Sequence, residues 1–178
     1  KIAVLSRGYK RKSKGFVVAG KQTPVKEIGD EPRQIKLKFP GIIMAVDNKR
    51  VHGIKQLITE FPGIEVILLD DAFQHRYVKA GLTIVLVNYE RPVFKDFMLP
   101  FGNLREYRCN LNRADIVIIT KCPPDINNIK RQKFIKNLKL KHNQPVFFTT
   151  YDYNNPVPLF RKKTSPISFK QIKKENAE

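Results

Sequence analysis

Two adjacent aspartates, Asp70 and Asp71, close the apolar run Val66-Ile67-Leu68-Leu69 and lead into Ala72-Phe73-Gln74-His75. The run is short, β-branched at its start and preceded by Pro62-Gly63. That pattern predicts a strand buried on both faces inside a parallel sheet. Its carboxyl end, where the acids fall, is the edge at which open α/β sheets bind ligands. Neighbouring carboxylates repel one another and are costly to hold beside a core. A Mg²⁺ ion relieves both costs, because it is hard, divalent and prefers carboxylate oxygen. The competing reading is a solvated turn in which one aspartate caps the next helix. His75 stays open between ligand, orienting group and cap.

A further acid lies in Gly29-Asp30-Glu31-Pro32. The glycine frees the backbone to present Asp30 sharply, and Pro32 is expected to keep Glu31 out of the helical region. Asp30 is a candidate general base, with an ordinary turn aspartate as the alternative. In Gly102-Asn103-Leu104-Arg105-Glu106, Arg105 has the fork that grips a phosphate bidentately. The alternative is a surface arginine paired to Glu106 or to solvent. Ser6-Arg7-Gly8-Tyr9-Lys10-Arg11-Lys12 follows the first strand and brings cations to the edge that carries Asp70 and Asp71. A charge run of this kind is either an anion-binding segment or a solvated face. Lys121 is open between a nucleotide contact and a strand-end residue. His52 and His142 show no partner pattern and read as structural or surface residues.

Six strands are expected to position these groups: Ile2–Leu5, Gly41–Val46, Glu65–Leu69, Thr83–Val87, Ile116–Thr120 and Val146–Thr149, chosen for apolar and β-branched content. Ile54, Leu57, Ile58 and Phe61 mark one face of a helix. A second, basic helix is expected over Ile129–Leu140, with Phe134, Ile135 and Leu138 on its apolar side and Asp125 near its start. Strands alternating with helices predict an α/β fold, a mainly parallel sheet flanked by helices. Residues 8–40 read as loop or hairpin with little helix. Residues 88–113 form an irregular stretch too long for a connector, which points to function. The α/β domain is expected over 1–160, with 161–178 a basic linker or the start of another domain; Ser168 and Gln171 have capping-box spacing.

The chain has 178 residues, 34 of them Lys or Arg and 16 Asp or Glu, for a formal net charge of +18. Such a balance favours polyanions: nucleic acid, nucleotide phosphates or an anionic membrane. With 42% hydrophobic residues the chain is expected to fold. Cys109 and Cys122 fit neither a disulfide scaffold nor a zinc site. No apolar run is long enough to span a bilayer, and no signal peptide opens the sequence. Because Lys1-Ile2-Ala3-Val4-Leu5-Ser6 already reads as a strand, the sequence is expected to begin inside a larger protein. None of the nine glycines belongs to a Gly-x-x-x-x-Gly-Lys-[Ser/Thr] segment. The strand ending in Asp70-Asp71 nonetheless has the form of the Walker B half of a nucleotide site.

Four segments, in order, resemble the tetraacyldisaccharide 4′-kinase family, the lipid A 4′-kinases of Gram-negative bacteria. They are Val4-Leu5-Ser6-Arg7-Gly8-Tyr9-Lys10-Arg11, Gly29-Asp30-Glu31-Pro32, Leu68-Leu69-Asp70-Asp71-Ala72-Phe73-Gln74-His75 and Leu99-Pro100-Phe101-Gly102-Asn103-Leu104-Arg105-Glu106. Arg113-Ala114-Asp115 follows at a familiar distance. The resemblance implies an incomplete P-loop NTPase-like fold and a peripheral kinase at the cytoplasmic face of the bacterial inner membrane. Such an enzyme moves the γ-phosphate of ATP to the 4′-hydroxyl of an anionic disaccharide lipid, with Mg²⁺ and without nucleic acid. It further implies Asp30 as catalytic base, Asp70 and Asp71 at Mg²⁺ with Asp71 also catalytic, and Arg105 on the substrate or the transferring charge. Gln74 and His75, in the same motif, go with the cofactor. Ala72 replaces a glycine common in the family, and Tyr107 a proline. The family's phosphate loop is expected upstream of Lys1, and a histidine partnering the base beyond Glu178, so this piece alone is expected to be inactive. The alternatives are a basic nucleic-acid-binding module, which lacks a recognition motif, and a non-catalytic P-loop-like scaffold.

Overall fold

A computed structural model of the chain describes residues 1–152. The expectations for 161–178, including the Ser168–Gln171 capping box, lie outside the described residues. The chain divides into two compact units, Lys1–Thr83 and Ile84–Glu178.

The first unit holds β1 (Ile2–Ser6), β2 (Val17–Val18), α1 (Val25–Ile28), α2 (Asp30–Lys38), β3 (Ile43–Val46), α3 (Arg50–Glu60) and β4 (Val66–Leu69). Its sheet runs in the order β2-β3-β1-β4, with β1 parallel to both β3 and β4 and β2 antiparallel to β3. β1 is central, and the strand alternation sends its side chains to opposite faces. Ala3 and Leu5 pack with Ala45 and Leu57 on the face covered by α3. Val4 packs with Met44, Val46, Ile28 and Ala19 on the other. Leu57 is fully buried, a side chain whose removal from water contributes roughly 2 kcal/mol. Gly53 lets α3 close on the strands: a Cβ there would lie 2.9 Å from the Asp47 Cβ and 3.0 Å from a Leu5 methyl carbon.

Three expectations fail in this unit. Residues 25–28 and 30–38 are helical rather than loop, and Glu31 sits in the first turn of α2. Pro32 does not exclude the helix, because the first-turn N–H groups of any helix lack intrahelical partners and a proline there forfeits nothing. β4 is also not buried on both faces: Val66 and Leu68 are exposed while Ile67 and Leu69 are partly buried. Within its sheet β4 is an edge strand, paired to β1 alone among the described residues.

The second unit holds β5 (Ile84–Asn88), β6 (Ile116–Thr120), α4 (Asn128–Leu138) and β7 (Val146–Phe148), with short 3₁₀ turns at Val93–Lys95 and Arg108–Arg113. β5, β6 and β7 form a parallel sheet in that order. α4 starts at Asn127, whose side chain accepts the Lys130 N–H at 2.9 Å. The N-cap is Asn127, two residues after the Asp125 expected near the helix start, and Ile129 lies exposed. Phe134 anchors the helix, with its ring 5.1 Å from those of Tyr89 and Phe94 and 6.3 Å from that of Phe148.

Candidate active site at the carboxyl edge of the first sheet

Because β3, β1 and β4 run parallel, their carboxyl ends meet at one edge, and the ladder extends one step past the strands. The Asp47 N–H donates to the Ser6 carbonyl at 3.0 Å, and the Asp70 N–H donates to the Leu5 carbonyl at 3.1 Å. Each of the two strands flanking β1 thus delivers an aspartate to its end. Asp47 is 2% exposed, and both its oxygens are used. Oδ1 accepts the Lys49 N–H at 2.9 Å, an Asx turn that substitutes for the missing side-chain cap of α3. Oδ2 lies 2.6 Å from the His52 Nδ1. His52 therefore has a partner, which its sequence context does not reveal.

Arg50, the first residue of α3, is buried and reaches over the end of β1. One Nη donates to the Asp47 carbonyl at 2.8 Å and the other to the Asp70 carbonyl at 2.9 Å. Burial pushes its pKa down, and the charges of Asp70, Asp71 and Asp47 oppose that. The guanidinium fork thereby holds the peptide group that joins Asp70 to Asp71.

Asp70 is partly buried, and Asp71 is exposed with a left-handed φ of 45°. Aspartate tolerates that region better than most non-glycine residues. Gln74 and His75 are partly buried in the turn that follows, which the His75 N–H closes on the Ala72 carbonyl at 2.8 Å. Burial lowers the His75 pKa; the positive charges of Arg50 and Arg7 act in the same direction, and Asp71 acts against them. His75 is thus in the field of the same edge.

Asp30 is exposed at the start of α2, its Oδ1 accepting the Glu31 N–H at 3.0 Å. Two glycines fix where this turn lies. Gly29 has φ 93° and Gly8 φ 69°. A Cβ on Gly29 would lie 3.0 Å from the Tyr9 carbonyl oxygen, and one on Gly8 would lie 2.8 Å from that of Ile28. The acidic turn is therefore pressed against the backbone that leaves β1. The Lys12 N–H to the Lys26 carbonyl, at 2.7 Å, and the Ser13 hydroxyl to the Glu27 carbonyl secure the same junction. Arg11 binds the Gly15 carbonyl at 2.6 Å, so part of the basic run is structural.

Arg105 belongs to the second unit, exposed in an irregular loop, and the neighbouring Glu106 pairs with Arg113 at 2.9 Å. Lys121 follows β6 with φ 58°. Among the described residues no three His, Cys, Asp or Glu side chains gather as a metal site. Two adjacent carboxylates still match what Mg²⁺ takes from a protein when phosphates and waters complete its octahedron. Asp47, Arg50 and His52 join this edge without being singled out for it by the sequence; the available signal is an aspartate just past β3, at the edge that holds Asp70.

A profile of the family described as tetraacyldisaccharide-1-P 4′-kinase matches residues 1–169. A tetraacyldisaccharide 4′-kinase of Phocaeicola vulgatus is 52% identical over 177 residues, covering 98% of this chain and 48% of that protein. One from Flavobacterium johnsoniae is 48% identical over 176 residues, covering 99% and 51%. The chain spans about half the length of these curated relatives. Among solved structures, the apo-form LpxK of Aquifex aeolicus in complex with ATP superposes with a TM-score of 0.62 at 27% identity, covering 89% of this chain and 65% of that one. The expected α/β, P-loop NTPase-like fold is thereby established.

Proposed function

The chain belongs to the tetraacyldisaccharide-1-P 4′-kinase family, and from that premise we propose that it forms part of a kinase acting on the 4′-hydroxyl of a tetraacylated disaccharide 1-phosphate, with ATP as phosphoryl donor. The observation that supports this reading is that two acidic turns are each anchored to the same short stretch of backbone, Asp70-Asp71 to Leu5 at the end of β1 and Gly29-Asp30 to Gly8-Tyr9 just after it. Phosphoryl transfer needs positioning and charge neutralisation more than covalent chemistry by the protein, and this edge offers both.

In this reading Asp30 accepts the proton of the 4′-hydroxyl as its oxygen forms a bond to the γ-phosphorus and the bond to ADP breaks. The exposure of Asp30 leaves it open to an incoming sugar. Asp70 and Asp71 would hold Mg²⁺, which neutralises phosphate charge when bound. Arg50 keeps their shared peptide group in place. Gln74 and His75 border the cofactor, and Arg105 serves the anionic substrate. No glycine-rich phosphate loop occurs among the nine glycines, so the 178 residues alone are assigned no turnover. A net charge of +18 suits an anionic amphiphile at the cytoplasmic face of the bacterial inner membrane, and no helix among the described residues is long and apolar enough to cross it.

The test is Asp30→Ala in the full-length protein. Turnover is expected to fall by about 10²–10⁴-fold while ATP binding, followed by calorimetry, is retained. An unchanged rate removes Asp30 from the role of base.

A further inference from the structure

We propose that the loop 96–104 of the second unit is a membrane-inserting wedge. Its tip, Leu99-Pro100-Phe101 together with Phe97, enters the acyl region of an anionic leaflet while Arg91 and Lys95 at its base meet the headgroups. The inference extends the reading above by giving the membrane contact a named element.

Phe101 is 91% exposed, Phe97 71% and Leu99 60%. Isolated exposed apolar residues are ordinary, but three large ones within five positions form a patch, where loop tips usually carry small polar residues. The loop is also built. Asp96 Oδ1 accepts the Phe97 N–H at 2.8 Å and the Asn103 N–H at 3.1 Å. The Leu104 N–H donates to the Phe97 carbonyl at 3.0 Å, and the Leu99 N–H donates to the Leu104 carbonyl and the Gly102 N–H to the Met98 carbonyl, each at 3.1 Å. Gly102 permits this closure: a Cβ there would lie 2.3 Å from the Phe97 carbonyl oxygen. Five backbone donors of the loop, those of Phe97, Leu99, Gly102, Asn103 and Leu104, are thus satisfied within it, and Pro100 has none to satisfy.

The base is held and charged appropriately. Phe94 packs edge-on against Phe134 of α4, with ring centroids 5.1 Å apart. Arg91 and Lys95 are exposed. Two of the acids nearby are engaged, Asp96 inside the loop, at a depressed pKa because the Asn103 and Phe97 N–H groups bond its carboxylate, and Glu106 with Arg113, whereas Glu90 beside Arg91 is exposed. An apolar tip above a cationic collar is the pattern of elements that lie in an anionic interface. A protein partner or another segment of the longer chain would not require the collar.

The test places an indole at the tip by Phe101→Trp in the full-length protein, read against the parent spectrum. Vesicles of phosphatidylcholine alone, and vesicles about one third phosphatidylglycerol, are free of the disaccharide lipid, so the result is independent of phosphoryl transfer. The expected result is a blue shift with the anionic vesicles, with quenching by bromine-labelled acyl chains. The double variant Phe97→Ser, Phe101→Ser is expected to bind those vesicles about tenfold or more weakly with unchanged circular dichroism. Emission that stays red and unquenched with both vesicles overturns the proposal. Emission already blue without vesicles and insensitive to them overturns it too, because the tip is then covered by protein.

Discussion

At the carboxyl edge of the first sheet, the backbone of Asp70 is held by the buried guanidinium of Arg50. In the loop 96–104, the backbone is held by the carboxylate of Asp96, within a segment whose tip faces water. The first arrangement draws on three strands and a helix, so its parts cannot yield one at a time. The second closes on itself across nine residues and can open without disturbing a sheet. Chemistry that depends on the placement of two carboxylates suits the former. A contact with a soft and variable surface suits the latter.

Removing the clamp should give the largest effect. Arg50→Ala deletes two charge-assisted hydrogen bonds in a buried setting and is expected to cost about 3 kcal/mol, measured by urea unfolding. Amide exchange in the loop 96–104 should stay as in the parent. A loss under about 1 kcal/mol would mean that the edge does not depend on the clamp. Gly102→Ala should act locally, costing about 1–3 kcal/mol through overpacking against the Phe97 carbonyl. Exchange of the Phe97, Asn103 and Leu104 amides should quicken while α3 stays protected. Loss of α3 protection would erase the distinction between the two regions.

The smallest effect concerns pH. His75 titrates below its ordinary value of 6.5 in the folded protein. Between its folded-state pKa and 6.5, the unfolded chain binds more protons, so stability rises with pH across that window and levels off above it. His75→Gln should remove this slope. Unfolding curves at several pH values between about 5 and 7.5 would show it, and an unaltered slope would place its source elsewhere.

Much of the architecture is legible in the sequence, since every expected strand occurs with its ends shifted by no more than two residues. Apolar β-branched runs report burial, and burial in a sheet is what defines them. α1 and α2 are hard to see for the complementary reason: their buried and partly buried apolar positions, Ile28, Pro32 and Ile35, are few and include a proline, while Val25 and Leu37 are apolar yet exposed, which blurs the stripe. Ile58 shows the limit of the stripe itself, matching the spacing in α3 yet lying exposed. The acidic motifs are visible as strings, while the network of Asp47, Arg50 and His52 is not. Its members gain meaning only when β3 and β4 flank the same strand. Likewise, nothing local says that the Gly29 turn rests on the segment after β1, because that contact joins residues some twenty positions apart.

The left-handed backbone at Asp71 carries a consequence for anyone altering this position. Alanine there would remove a charge and also unsettle the local chain, so a lost activity could be blamed on either. Asparagine accepts the same twist and discards the negative charge while keeping the side chain's shape, at the expense of one acceptor oxygen. One position thus permits electrostatics and shape to be interrogated apart, provided the isostere is chosen over the truncation.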